Sequence, residues 1–179
     1  GVVEIMVEVF GKRWKVGVFG GGHIALEISR VLDIIKFDYF IVDNRKEFAI
    51  KERFPNSGKV FCEEYMLFNY HEEIDEKTYA VIVTHGHEFD KVCLENLVKT
   101  KAVYIGMIGS KKKVLGTLQG IKTKDYDPLS DSRIYSPIGL ELGGDSPGLI
   151  ALSIVSEIVR VHFRKTGNHL SLNKLPGNA

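Results

Sequence analysis

Short apolar runs alternate along this chain with segments of helical periodicity. The run Lys15–Phe19 ends in glycines, and Ile24, Ile28, Val31, Leu32 and Ile35 then recur at helical spacing. Tyr39-Phe40-Ile41-Val42 reads as a second buried strand closed by Asp43. Residues 45–53 read as a helix that the turn residues Pro55-Asn56-Ser57-Gly58 end, and Val60-Phe61 as a short third strand. Residues 62–77 fit neither period. Tyr79-Ala80-Val81-Ile82-Val83 is a clear strand, followed by a helix carrying Phe89, Val92, Cys93, Leu97 and Val98. Ala102-Val103-Tyr104-Ile105 is the next strand, with a helix opening at Ser110. After a polar stretch and Ile134-Tyr135, the last helix runs over residues 147–163, capped by Asp145 or Ser146 with Pro147 in its first turn.

Strand alternating with helix predicts an α/β fold: a Rossmann-like, doubly wound, mostly parallel sheet with helices on both faces. We expect an N-terminal extension over residues 1–14, the Rossmann-like domain over 15–164 and a polar tail over 165–179. The 179 residues suffice for one well-packed domain. A net charge of +1 gives no global field for nucleic acid or an anionic membrane, and no apolar run approaches the ~20 residues of a membrane span. The start of the sequence carries acids and lacks the pattern of a signal peptide, so a cytoplasmic protein is expected. Cys62 and Cys93 belong to no C-x-x-C pair and read as reduced, largely buried thiols.

Candidate chemistry sits where strands end. Gly20-Gly21-Gly22-His23-Ile24-Ala25 follows the first strand and opens the first helix. Glycines there allow a tight turn and let backbone N–H groups approach a phosphate, which the helix N-terminus also favours. Asp43 stands 21 residues after Gly22, near the ~20 expected of an acid that accepts a ribose hydroxyl. Arg45 lies two residues on; Asp43 could equally cap the segment after it.

Two further strand ends are unusual. Thr84-His85-Gly86-His87 places two histidines at i and i+2. The segment resembles the T-H-x-H-x-D-H signature of metallo-β-lactamase-like hydrolases but carries Phe89 and Asp90 where that signature needs acid and histidine. The expectation is a ligand-facing loop and no metal, since zinc sites want three or four ligands. Gly106-Met107-Ile108-Gly109-Ser110-Lys111-Lys112-Lys113 puts three lysines at a helix start, where the dipole disfavours them by ~0.3–1 kcal/mol each. An anionic ligand at that end would reverse the sign. Gly109, Ser110, Lys111 and Lys112 therefore join Gly20, Gly21, Gly22, His23, Asp43, Arg45, Thr84, His85 and His87 as candidate binding residues. No catalytic residue emerges.

Phe19-Gly20-Gly21-Gly22-His23-Ile24, Val42-Asp43-Asn44-Arg45, Thr84-His85-Gly86-His87, the 104–111 segment and Ser136-Pro137-Ile138-Gly139-Leu140 occur in one order. In that order the chain resembles XdhC/CoxI proteins, accessory factors of molybdenum hydroxylases such as xanthine dehydrogenase, over roughly residues 15–161. The resemblance implies a Rossmann domain that binds molybdenum cofactor (molybdopterin), assists its sulfuration with a cysteine desulfurase, and delivers it to the apo-hydroxylase. It also implies a partner subunit or a homodimer, because the separate N-terminal domain common in the family is not found in this sequence. An NAD(P)-dependent oxidoreductase or an NAD(P)-sensing module is the competing expectation. Against the oxidoreductase, none of the seven tyrosines begins a Y-x-x-x-K pair.

Overall fold

The computed structural model describes residues 13–171. Strand β1 (Lys15–Phe19) turns through the glycines into helix α1 (His23–Ile35). Then come β2 (Asp38–Asp43), β3 (Lys59–Cys62), the single-turn helix α2 (Tyr70–Glu73) and β4 (Thr78–Ile82). Helix α3 (His87–Leu97), β5 (Tyr104–Met107), α4 (Lys111–Ile121), β6 (Ile134–Tyr135) and α5 (Pro147–His162) complete the order. The strands form one sheet in the order β3-β2-β1-β4-β5-β6, and every pairing is parallel. This is a Rossmann-like α/β fold. The strand order reverses direction between β1 and β4, and the crevice outside the carboxyl ends of those strands is where such sheets bind ligands.

Both faces of the sheet are covered, as parallel strands require. On one face Ala25, Ile28 and Leu32 of α1 pack with Ala151, Ile154 and Ile158 of α5 over Val16, Val18, Ile41 and Val81. On the other, Cys93, Leu94 and Leu97 of α3 and Val114, Leu118 and Ile121 of α4 pack over Ala80, Ile82, Ile105 and Met107. An aromatic cluster extends that second core under β1 to β3. Phe19 stacks on Tyr70 at 5.4 Å, and Phe68 contacts Phe40, Phe61 and Tyr70.

The structure corrects the sequence reading in three places. Residues 45–53 are a series of turns, not a helix. Their bonds are mainly of i→i−3 type: Phe48 N–H to Arg45, Arg53 N–H to Ile50, Phe54 N–H to Lys51. The Asp43 carboxylate accepts the Arg45 N–H at 2.9 Å, as a helix cap would, but the segment continues as turns. The strand expected from residue 102 lies two residues later than its apolar run, at Tyr104–Met107, because Met107 pairs with Ile82. Cys62 is exposed; only Cys93 is buried. Most of the expected N-terminal extension and the end of the polar tail lie outside the described residues.

Candidate ligand site at the carboxyl edge of the sheet

The parallel register sets Phe19, Val42, Ile82 and Met107 in one row across four strands. The residues just beyond that row therefore share one edge: the glycine loop, Asp43, the Thr84 turn and the Gly109 loop. The N-termini of α1, α3 and α4 follow the same strand ends.

The first two glycines of the loop serve the fold. Gly20 has φ +113°, and its N–H donates to Val42 at 2.7 Å. A Cβ on Gly20 would stand 2.3 Å from the Val83 carbonyl oxygen, so the chain leaving β4 fills the space a side chain would need. Gly21 donates its N–H to Asp43 Oδ2 at 2.7 Å. Gly22 differs from both. It is the N-cap of α1, and among the described residues no side chain caps the first turn and nothing lies within 4 Å of where its Cβ would be. At Gly22 the chain leaves room beside uncapped helix donors, which is the local chemistry of an anion site. His23, the first residue of α1, is exposed.

Asp43 is fully buried. Its oxygens accept from Gly21 N–H, Arg45 N–H, and Arg45 Nε (2.9 Å) and Nη2 (2.8 Å). Burial acts to raise its pKa, and the hydrogen bonds from Arg45 and Gly21 outweigh it, holding the carboxyl below the usual carboxylate range. Arg45 also lies over the Phe48 ring at 3.8 Å. The acid that ribose recognition would call on is thus already engaged in holding the glycine loop and Arg45.

Thr84 Oγ1 lies 2.5 Å from Asp90 Oδ1, which ties the turn after β4 to the first turn of α3. His85 is exposed and rests on Phe89 at 4.9 Å. His87 begins α3. Among the described residues no group of three or more His, Cys, Asp or Glu is placed to hold a metal ion. Ser110 caps α4 by accepting the Lys113 N–H at 3.4 Å.

A cavity of about 260 Å³ brings these strand ends together, lined by Thr84, His85, Gly86, Asp90, Ile108, Gly109 and Lys113. Lys113 is therefore the lysine of the run that meets the β4 turn. Lys112 lies with Lys113 on a shallower groove between α3 and α4, and Lys111 lines neither.

The sequence from residue 16 to 158 matches the family model described as the XdhC Rossmann domain. The chain belongs to the XdhC Rossmann-domain family. Over 149 residues it is 27% identical to a Bacillus subtilis protein named as a probable xanthine dehydrogenase subunit, covering 82% of this chain and 42% of that one. It is 25% identical over 168 residues to the uncharacterized protein YqeB of Escherichia coli, covering 93% and 31%. A crystal structure described as a xanthine dehydrogenase from Bacillus halodurans superposes with a TM-score of 0.74 at 25% identity, covering 85% of this chain and 45% of that one. This XdhC domain thus spans less than half the length of these relatives.

In this XdhC domain the structure brings Gly20, Gly21, Gly22, Asp43, Thr84, His85, Gly109 and Ser110 to one edge. Two residues of that edge escaped the sequence reading. Lys113 is the third lysine of its run, and its place three residues after the Ser110 cap was the available signal. Asp90 stood out in the sequence only as a departure from a metal signature, whereas its partner is Thr84.

Proposed function

We propose that this XdhC domain binds molybdenum cofactor at the carboxyl edge of its sheet and acts as an accessory factor for a xanthine dehydrogenase-like molybdenum hydroxylase. The carrying observation is Gly22. It leaves open space at the uncapped start of α1, while the neighbouring cavity offers Thr84, His85 and Lys113. A phosphate-bearing, polar heterocycle fits that donor set: helix N–H groups and one lysine for the anion, threonine and histidine for the ring.

The bound cofactor would supply the metal and pterin that the client hydroxylase uses. The residues here would bind and orient it. Backbone donors after Gly22 hold the anion, Lys113 adds a charge-assisted bond, and the Thr84–Asp90 pair fixes the turn that carries His85. A sulfur relay through this domain's buried thiol is disfavoured, because burial pushes the Cys93 thiol well above its ordinary range and the thiolate is the reactive form. Sulfur would come from a separate cysteine desulfurase.

The engagement of Asp43 favours this reading over NAD(P), whose ribose would find no free carboxylate oxygen there. The test is expression in a molybdopterin-competent host, followed by release and oxidation of bound pterin. Fluorescent oxidised pterin near one equivalent is expected, with none from Gly22→Val. Pterin-free protein that instead binds NADH would overturn the proposal.

A further inference from the structure

Helix α5 is apolar on two sides. Ala151, Ile154 and Ile158 are buried against the sheet and α1. Leu149, Leu152 and Phe163 nevertheless stay 44%, 44% and 59% exposed. A surface helix carries one apolar stripe; a helix apolar all round is one that is covered all round. Leu152 and Phe163 lie on an open groove of about 590 Å³ between the two helices of this face, walled also by Leu140, Leu142, Lys165 and Gly167. Leu152, Val155 and Val159 of α5 and Phe163 just after it line it at i, i+3, i+7 and i+11, opposite Val31 and Ile35 of α1. That spacing makes one continuous helix face about three turns long.

The charges in the groove have one sign. Among the described residues its lining holds Arg160 and Lys165 and no acid. Arg160 Nε is buried and has no hydrogen-bond partner among the described residues.

We infer that this groove seats an amphipathic helix of another polypeptide, one whose apolar stripe packs between α1 and α5 and whose carboxylate meets Arg160 and Lys165. Two helices side by side present ridges and a groove that a third helix fills, and a groove this long and open matches a helix of about three turns. A second copy of this chain is the poorer occupant. An isologous contact sets a patch against itself, and a patch with two cations and no acid cannot supply its own counter-charge. The inference is independent of what binds at the carboxyl edge of the sheet.

The test places a photoreactive benzoylphenylalanine at Leu152 in the full chain, expressed in its native host, and sequences the crosslinked segment by mass spectrometry. The expected product is a segment of another polypeptide with apolar residues at i, i+3 or i+4, and i+7, and an Asp or Glu within one turn of them. Arg160→Glu should cut the yield at least tenfold, and Arg160→Lys should keep it. If Arg160→Glu lowers the melting temperature, Lys165→Glu, at an exposed residue, gives the same readout. Crosslinks only to a second copy, to lipid or to segments without that pattern would overturn the inference. So would an absence of crosslinks, or a yield indifferent to both charge reversals.

Discussion

The Tyr104 hydroxyl on β5 donates to Glu157 Oε2 on α5 at 2.6 Å, and the same oxygen accepts the Gly139 N–H at 3.0 Å. One buried carboxylate oxygen thus joins a central strand, the Ser136-Pro137-Ile138-Gly139 loop and the last helix. Burial first, and then Glu157, pushes the Tyr104 phenol well above its ordinary pKa. Glu157→Ala would strand one buried donor, the Tyr104 hydroxyl, and one half-buried donor, the Gly139 N–H, at ~1–3 kcal/mol for the buried one. We expect a loss of about 2–4 kcal/mol in urea unfolding, and a much smaller one in Glu157→Gln, which still accepts. Equal losses in the two variants would mean that the negative charge, and not an accepting oxygen in that place, carries the effect.

Gly20 and Gly22 should respond oppositely to substitution. Gly20→Val forces a side chain into the left-handed region and against the Val83 carbonyl, so the protein should be destabilised by several kcal/mol, an order of magnitude set by strain at such positions. Gly22→Val meets only open space and should melt within a few degrees of the parent while losing the bound pterin. A folded Gly22→Val protein with full pterin content would remove the loop from the site.

Within the lysine run the effect should be positional. Lys113→Ala should weaken binding of the anionic ligand about tenfold, from the ~1.5–3 kcal/mol of a hydrogen bond to a charged group. Lys111→Ala should change it little, because Lys111 lines neither cavity. Titration calorimetry with molybdopterin or inorganic phosphate reads the difference. A larger effect at Lys111 would place the anion elsewhere on the helix start.

Asp43 makes stability acid-sensitive with a definite sign. Its folded pKa is depressed, so its contribution is fully present above the unfolded value of ~3.9 and is lost as pH falls below it through the folded value. Asp43→Ala should remove that part of the acid dependence and cost ~1–3 kcal/mol at neutral pH, through the stranded Gly21 N–H and Arg45. Denaturant midpoints between about pH 2 and pH 7 for parent and variant would show it. Parallel curves would refute the assignment.

The two thiols should separate cleanly. Cys62 is exposed at the end of β3, and Cys93 is buried with its pKa pushed up. A thiol reagent should titrate one cysteine rapidly in native protein and the second only on unfolding, and Cys62→Ser should abolish the fast phase. Two fast equivalents would mean that α3 opens readily.

Most of the sheet was legible because buried parallel strands are short apolar runs between turn signals, as β1, β2 and β4 are. Helix α5 announced both its cap and its first proline: Ser146 accepts from Leu149 N–H, with Pro147 in the first turn. Residues 45–53 misled because their helical periodicity is real but serves another partner. Arg53 Nη2 reaches the Gly21 carbonyl at 3.1 Å, and Phe48 lies under Arg45. Contacts with a loop more than twenty residues away leave no local trace. The same holds for residues 62–77, whose Tyr65, Phe68 and Tyr70 are core residues with neither a strand nor a helix period. At the site the glycine loop was readable from its order in the chain. The choice of Lys113 over its neighbours depended on which side of α4 faces the β4 turn, and no spacing rule gives that without the sheet.

The bond from Gly21 N–H to Asp43 also bears on timing. With one loop amide already held by a buried carboxylate, the glycine loop keeps its shape without a guest, and on the proposed function that is the shape a phosphate would meet. Arrival then needs no folding step, so association should be governed by diffusion and charge steering rather than by waiting for a rare open form. The same amide should exchange slowly with deuterated water whether or not the site is filled. A loop ordered only by its guest would show protection that appears on binding and vanishes on release.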